Sequence, residues 1–315
     1  MRPPPVGGLK DRRIPARRGV QMSAYTNKVG VHGLVWAGGW SEAEARSSIE
    51  GAKATGYDVI EILLMDPRKV DAAMTRRLLD EYEMEATASF GLSAETDVSS
   101  EDPDRVHAGE RLLHEAYSVA RDFGALYVGG VLYGALGKYN APVSRLGREN
   151  SIAALQRLCD AAAGSDIQIG LELVNRYESN MLNTAAQAVS YVGEVGRDNL
   201  VIHLDTYHMN IEESDNYSAV LTAGEHLGYV HIGENHRGYL GTGNVDFTSL
   251  FRGLAAIGYT GPITFESFSS RIIMPELSYT LAIWRDLWSD NADLAAHARG
   301  FIDAQLRSAA NRPAL

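Results

Sequence analysis

Four side chains of ligand type interrupt apolar runs in the second half of the chain: Glu172 in IQIGLELV, Asp205 closing LVIHLD, His231 in GYVHIG and Glu266 in PITFES. A carboxylate inside an apolar strand needs a partner to survive burial. Three hard carboxylates and one imidazole suit an octahedral divalent ion such as Mn²⁺, Mg²⁺ or Co²⁺ with positions left for substrate oxygens, whereas structural zinc favours Cys and His. Each residue alone has a plainer reading, a salt bridge for Glu172 or a satisfied core imidazole for His231. Their recurrence near the ends of four consecutive strands is what points to a shared metal.

That recurrence matters only if the strands open at one mouth. From Val29 onward eight short apolar runs alternate with helical patterns: KVGVHGLVW, YDVIEILLM, MEATASF, ALYVGGVLY, IQIGLELV, LVIHLD, GYVHIG and PITFES. Nearly continuous apolar strands belong to a parallel sheet covered on both faces. Eight such units without a linker predict an α/β fold, a (β/α)8 TIM barrel with an extra C-terminal helix over about Ala292 to Ala309. In such barrels the chemistry sits at the C-terminal strand ends and the loops that follow. No glycine-rich dinucleotide turn follows the first strand, and the GTG of Gly241 to Gly243 lacks the Lys-Ser/Thr of a phosphate loop, so it reads as a flexible loop. Cys159 lies on an apolar helical stripe with Ile152, Leu155 and Leu158, which predicts packing rather than reactivity.

Charge and composition narrow the partners. The 315 residues carry a formal net charge of -11, yet the first 28 hold seven basic residues against the single Asp11, and four of the ten prolines. This segment is expected to be a disordered basic tail (1–28), with Met22 as an alternative start, ahead of a single barrel domain spanning 29–315. The acidic barrel argues against nucleic acid or an anionic membrane as partner, and no apolar run is long enough to cross a bilayer. One cysteine cannot make an internal disulfide, which fits the cytoplasm.

Longer motifs carry a resemblance. LELVNRYESN, HLDTYHMNIEES, YVHIGENHRGYLGTGNVDF and FESF, with GLSAETDVSSEDP, GGVLYGALGKY and IWRDLW, resemble the D-tagatose 3-epimerase family, which includes the D-allulose (D-psicose) and L-ribulose 3-epimerases. The match covers nearly everything after the basic tail. It implies that Glu172, Asp205, His231 and Glu266 hold one divalent ion per subunit, Mn²⁺ foremost with Co²⁺ or Mg²⁺ as alternatives, and that Glu172 and Glu266 form the acid/base pair. It also implies substrate contacts from Glu178, His208 and Arg237, on loops just past strand ends. His32 and Trp36 after strand one and Tyr133 at the end of strand four are candidate pocket walls, with simple packing the plainer reading.

The implied reaction interconverts C3 epimers of free ketoses, such as D-fructose and D-allulose, D-tagatose and D-sorbose, or L-ribulose and L-xylulose, through a cis-enediolate. Inverting a carbon beside a ketone needs a proton taken from one face and delivered to the other, which two carboxylates flanking the sugar can do. A homodimer or homotetramer is the family expectation. An aldose-ketose isomerase on the same barrel, a metal-dependent apurinic endonuclease, which would need more histidines and a basic face, and a non-catalytic metal- and sugar-binding barrel are the competing readings.

Overall fold

Side chains that accept hydrogen bonds from free amides stand at the helix starts. Asp71 takes the Met74 amide at 2.9 Å, Ser144 that of Gly147 at 3.1 Å and Asp246 that of Ser249 at 3.0 Å. At Ser41 the amide donates to Glu44 three residues on, at 2.9 Å. These signals mark helices α1 (Glu42–Ala54), α2 (Ala72–Tyr82), α3 (Pro103–Phe123), α4 (Arg145–Ala162), α5 (Ala185–Val195), α6 (Thr206–Glu212), α7 (Asn216–Ala223), α8 (Phe247–Ala256), α9 (Pro275–Thr280) and α10 (Asn291–Ala310).

Between them the computed structural model, which describes residues 25–310, places β1 (Val29–His32), β2 (Val59–Leu63), β3 (Glu85–Leu92), β4 (Tyr127–Ala135), β5 (Gln168–Glu172), β6 (Leu200–Asp205), β7 (Leu227–Ile232) and β8 (Ile263–Phe265). All pair in parallel with their sequence neighbours, and β8 closes on β1 through Val29 opposite Ile263. The expected (β/α)8 barrel is therefore present, with α10 as the extra C-terminal helix. Among the described residues no helix is long and apolar enough to cross a membrane.

Two expectations about the ends change. The expected tail boundary at residue 28 falls inside the barrel's fastening: the Asn27 side-chain amide donates to the carbonyls of Tyr259 and Gly261, and the Tyr25 hydroxyl to Asp303 on α10 at 2.5 Å. The remainder of the tail, and Met22, lie outside the described residues. Strand one also stops early. His32 turns its ring back, Nδ1 accepting the Leu34 amide at 3.2 Å, and the chain enters a short 3-10 turn instead of extending to Trp36.

Inward-facing positions alternate along each strand, and here many are polar. At the bottom Tyr127 stacks on Tyr229 with ring centroids 4.1 Å apart, and Gly170 leaves the room, since a Cβ there would overlap the Tyr127 ring. Above them the Tyr229 hydroxyl meets Thr87 at 2.8 Å and Thr264 at 2.7 Å and donates to Glu61 at 2.8 Å. The apolar core lies mainly between strands and helices, where Cys159 is fully buried in α4. Burial pushes its thiol up to about 12. The native protein should therefore resist alkylation by iodoacetamide at neutral pH and take up one equivalent only on unfolding; rapid labelling of native protein would show that α4 does not pack as described.

Candidate active site

Asp205 is fixed from two sides. It ends β6 and caps α6, so Oδ1 accepts the Tyr207 amide at 2.7 Å and Oδ2 is left facing the barrel mouth. There Oδ2 lies 3.6 Å from His208 Nε2, one helical turn along, and 3.3 Å from Arg237 Nη1. Glu172 at the end of β5, His231 on β7 and Glu266 just past β8 converge on the same point. One ligand atom from each of the four lies within 4.8 Å of the others. His231 Nδ1 is 3.6 Å from both Glu172 Oε1 and Glu266 Oε1, too far for a hydrogen bond, and has no hydrogen-bond partner among the described residues.

His231 is held by a residue that the sequence reading did not single out. Glu61, in the middle of β2 and fully buried, accepts from His231 Nε2 at 2.8 Å. A carboxylate only accepts, so Nε2 carries a proton, which leaves Nδ1 as the nitrogen that could ligate a metal at the mouth. Against the desolvation of burial, His231, His32 and His203 hold Glu61 well below the usual carboxylate range. The signal was available: Glu61 interrupts YDVIEILLM just as Glu172 interrupts its own run.

The remaining expected site residues separate into two groups. His32, Glu178, His208 and Arg237 line one cavity of about 290 Å³ together with Glu172, His231 and Glu266. Its far wall is apolar, with Leu34, Leu63, Leu136 and Leu281. Trp36 and Tyr133 are not part of it. The turn after His32 swings Trp36 outward over Gly51 of α1. Tyr133 is buried behind the wall, its hydroxyl donating to the Glu172 carbonyl at 2.9 Å, where it braces the end of β5.

Asn175 sets the orientation of His208. Its backbone amide donates to His208 Nδ1 at 3.1 Å and its side-chain amide to Nδ1 at 2.9 Å and to Glu178 Oε1 at 2.8 Å. Burial pushes His208 down to about 3, so the ring is neutral and directs an Nε2–H into the site. Arg237, at φ 62°, is sandwiched between the Tyr207 and Phe268 rings, with Nη1 2.5 Å from Glu266 Oε2. The GTG segment beside it is not loose: fully buried Glu234 accepts the amides of Asn235, Gly241 and Val245 and so ties the whole turn down.

Burial, with the charges of Glu266 and Asp205, pushes Glu172 up to about 7 against the pull of His231. Three carboxylates and an imidazole nitrogen with no hydrogen-bond partner among the described residues, all in one group, fit a divalent cation. Glu61→Gln keeps the shape of β2 but weakens the anchor of His231. It should lower Mn²⁺ affinity by about 10- to 100-fold in a chelator-competition titration, and unchanged affinity would deny Glu61 its positioning role.

Comparison with known proteins agrees with the barrel fold. The family model described as "Xylose isomerase-like TIM barrel" matches residues 49–304. An L-ribulose 3-epimerase from Methylomonas sp. (strain DH-1) is 57% identical over 273 residues, covering 87% of this chain and 96% of the relative. A ketose 3-epimerase from Arthrobacter globiformis is 52% identical over 279 residues, covering 89% and 96%. A crystal structure of a Methylomonas sp. D-allulose 3-epimerase in complex with D-allulose superposes with a TM-score of 0.87 at 55% identity, over 90% of this chain and 98% of that one.

Proposed function

Since this chain belongs to the xylose isomerase-like TIM barrel family and, within it, to the ketose 3-epimerases, we propose that it epimerises free ketoses at C3 with Glu172 and Glu266 as the proton-transfer pair. The observation that carries this reading is the placement of the two carboxylates on β5 and just past β8, three strands apart around one cavity, each 3.6 Å from His231 Nδ1. A sugar seated between them presents opposite faces of C3 to the two groups.

Glu172, Asp205, His231 and Glu266 would hold the divalent ion, for which Mn²⁺ is our assignment with Co²⁺ or Mg²⁺ as alternatives. When bound, such an ion supplies Lewis-acid polarisation of a ketone beside C3. One glutamate takes the C3 proton, and the electrons pass to the C2 oxygen as the cis-enediolate forms. The other returns a proton to the opposite face, and exchange of the two roles runs the reverse epimerisation. His208 Nε2–H donates to the oxygen that gains charge, from a ring already set by Asn175. Arg237 holds the Glu266 carboxylate in place, and with Glu178 it would grip the oxygens of the C1 end, which fixes the carbon facing the pair.

The rest of the ketose would lie toward the apolar far wall, and the pairs D-fructose/D-allulose, D-tagatose/D-sorbose and L-ribulose/L-xylulose are the substrates we assign. A cytoplasmic homodimer or homotetramer completes the reading.

Proton NMR of these ketoses in D₂O with chelated protein, before and after Mn²⁺, tests it. Metal-dependent epimer formation with deuterium entering at C3 is expected. Label at C1 or C2 with aldose formed would make the protein an aldose-ketose isomerase, and no label despite metal binding would make it a binding barrel. Glu266→Gln should slow C3 exchange by at least about 10²-fold while it still folds, and normal turnover would remove Glu266 from the proton path.

A further inference from the structure

One inward step below Asp205 on β6 lies His203, fully buried, with neither ring nitrogen hydrogen-bonded to any described residue. Its ring stands edge-on to His231, with centroids 4.1 Å apart at 87°, and to Tyr229 at 4.9 Å and 80°. An N–H can rest against an aromatic face, but a neutral imidazole also carries a lone pair, which gains nothing from such a contact. Glu172 pairs with His203 in the register of β5 and β6. One ligand atom each from Glu172, His203 and His231 falls within 4.8 Å of the other two. Neither the N–H nor the lone pair of His203 is hydrogen-bonded to Glu172 or His231, and His231 Nδ1 is likewise without a hydrogen-bond partner among the described residues.

We propose that Glu172, His203 and His231 form a second, deeper cation position that selects Zn²⁺ over the ion used at the mouth. Two imidazoles and one carboxylate are a common donor set for zinc, whereas Mn²⁺ and Mg²⁺ favour the oxygen-rich set with Asp205 and Glu266. Glu172 and His231 belong to both sets, so the chain holds one ion at a time. An ion drawn down to His203 leaves Asp205 and Glu266 behind, and Zn²⁺ is then an inhibitor that competes with Mn²⁺. The inference rests on the cation reading of the site and is independent of which sugar is turned over.

Crystals of chelator-treated protein soaked separately in Zn²⁺ and Mn²⁺ give the direct test through their anomalous peaks. Zn²⁺ is expected at bonding distance, about 2.1 Å, from a His203 nitrogen, and Mn²⁺ displaced toward Asp205 and Glu266. In solution, His203→Leu should weaken Zn²⁺ by about tenfold or more in a competition titration and change Mn²⁺ affinity by less than about twofold. Both ions in one position out of reach of His203, or undiminished Zn²⁺ affinity in the variant, would overturn the proposal. Absence of both ions would remove the cation reading with it. The soak uses the unaltered chain, so it decides the matter even if His203→Leu does not fold.

Discussion

Three carboxylates and an imidazole crowded at one point, with a single guanidinium to answer them, are the constraint on which this barrel mouth depends. Glu172, Asp205 and Glu266 bring carboxylates and His231 brings Nδ1, all inside one group whose ligand atoms lie within 4.8 Å. Arg237 Nη1 reaches Asp205 and Glu266 but not His231. A site with this much electron density and one guanidinium calls for a cation, and its neighbours are arranged around that demand. The cap of α6 fixes one oxygen of Asp205, Glu61 fixes His231, and Tyr133 braces the strand that carries Glu172.

The barrel interior extends this order downward. Small barrels are usually filled with branched apolar side chains. Here Glu61, Thr87, Tyr229 and Thr264 form a connected polar core in which the Tyr229 hydroxyl makes three bonds. Such a network fixes side-chain orientation at a cost in hydrophobic burial. The orientation it fixes is that of His231, a functional side chain, which gives a physical reason for polar groups so deep in the fold.

Much of this was legible in the sequence for one reason: a charged residue in an apolar strand is conspicuous. Glu172, Asp205, His231 and Glu266 stood out in that way, and the βα alternation placed them at one mouth. Glu61 showed the same signal, but its partners Tyr229 and His231 on β7 are distant in sequence, so its role emerged only once the barrel closed. Trp36 lies off the wall because the His32 ring caps a 3-10 turn that ends β1 early, and Tyr133 because β4 runs on to Ala135 and turns its hydroxyl to the Glu172 carbonyl behind the wall. The Asn175 clamp on His208 depended on a contact 33 residues apart, which no motif spacing displays.

Calorimetric titration of chelator-treated protein with Mn²⁺ tests the central claim most directly. The account predicts one ion per chain and loss of that binding in Asp205→Asn, which keeps an oxygen to cap α6 but lacks the anionic donor at the mouth. Absence of binding to the unaltered chain, or binding undiminished in Asp205→Asn, would contradict it.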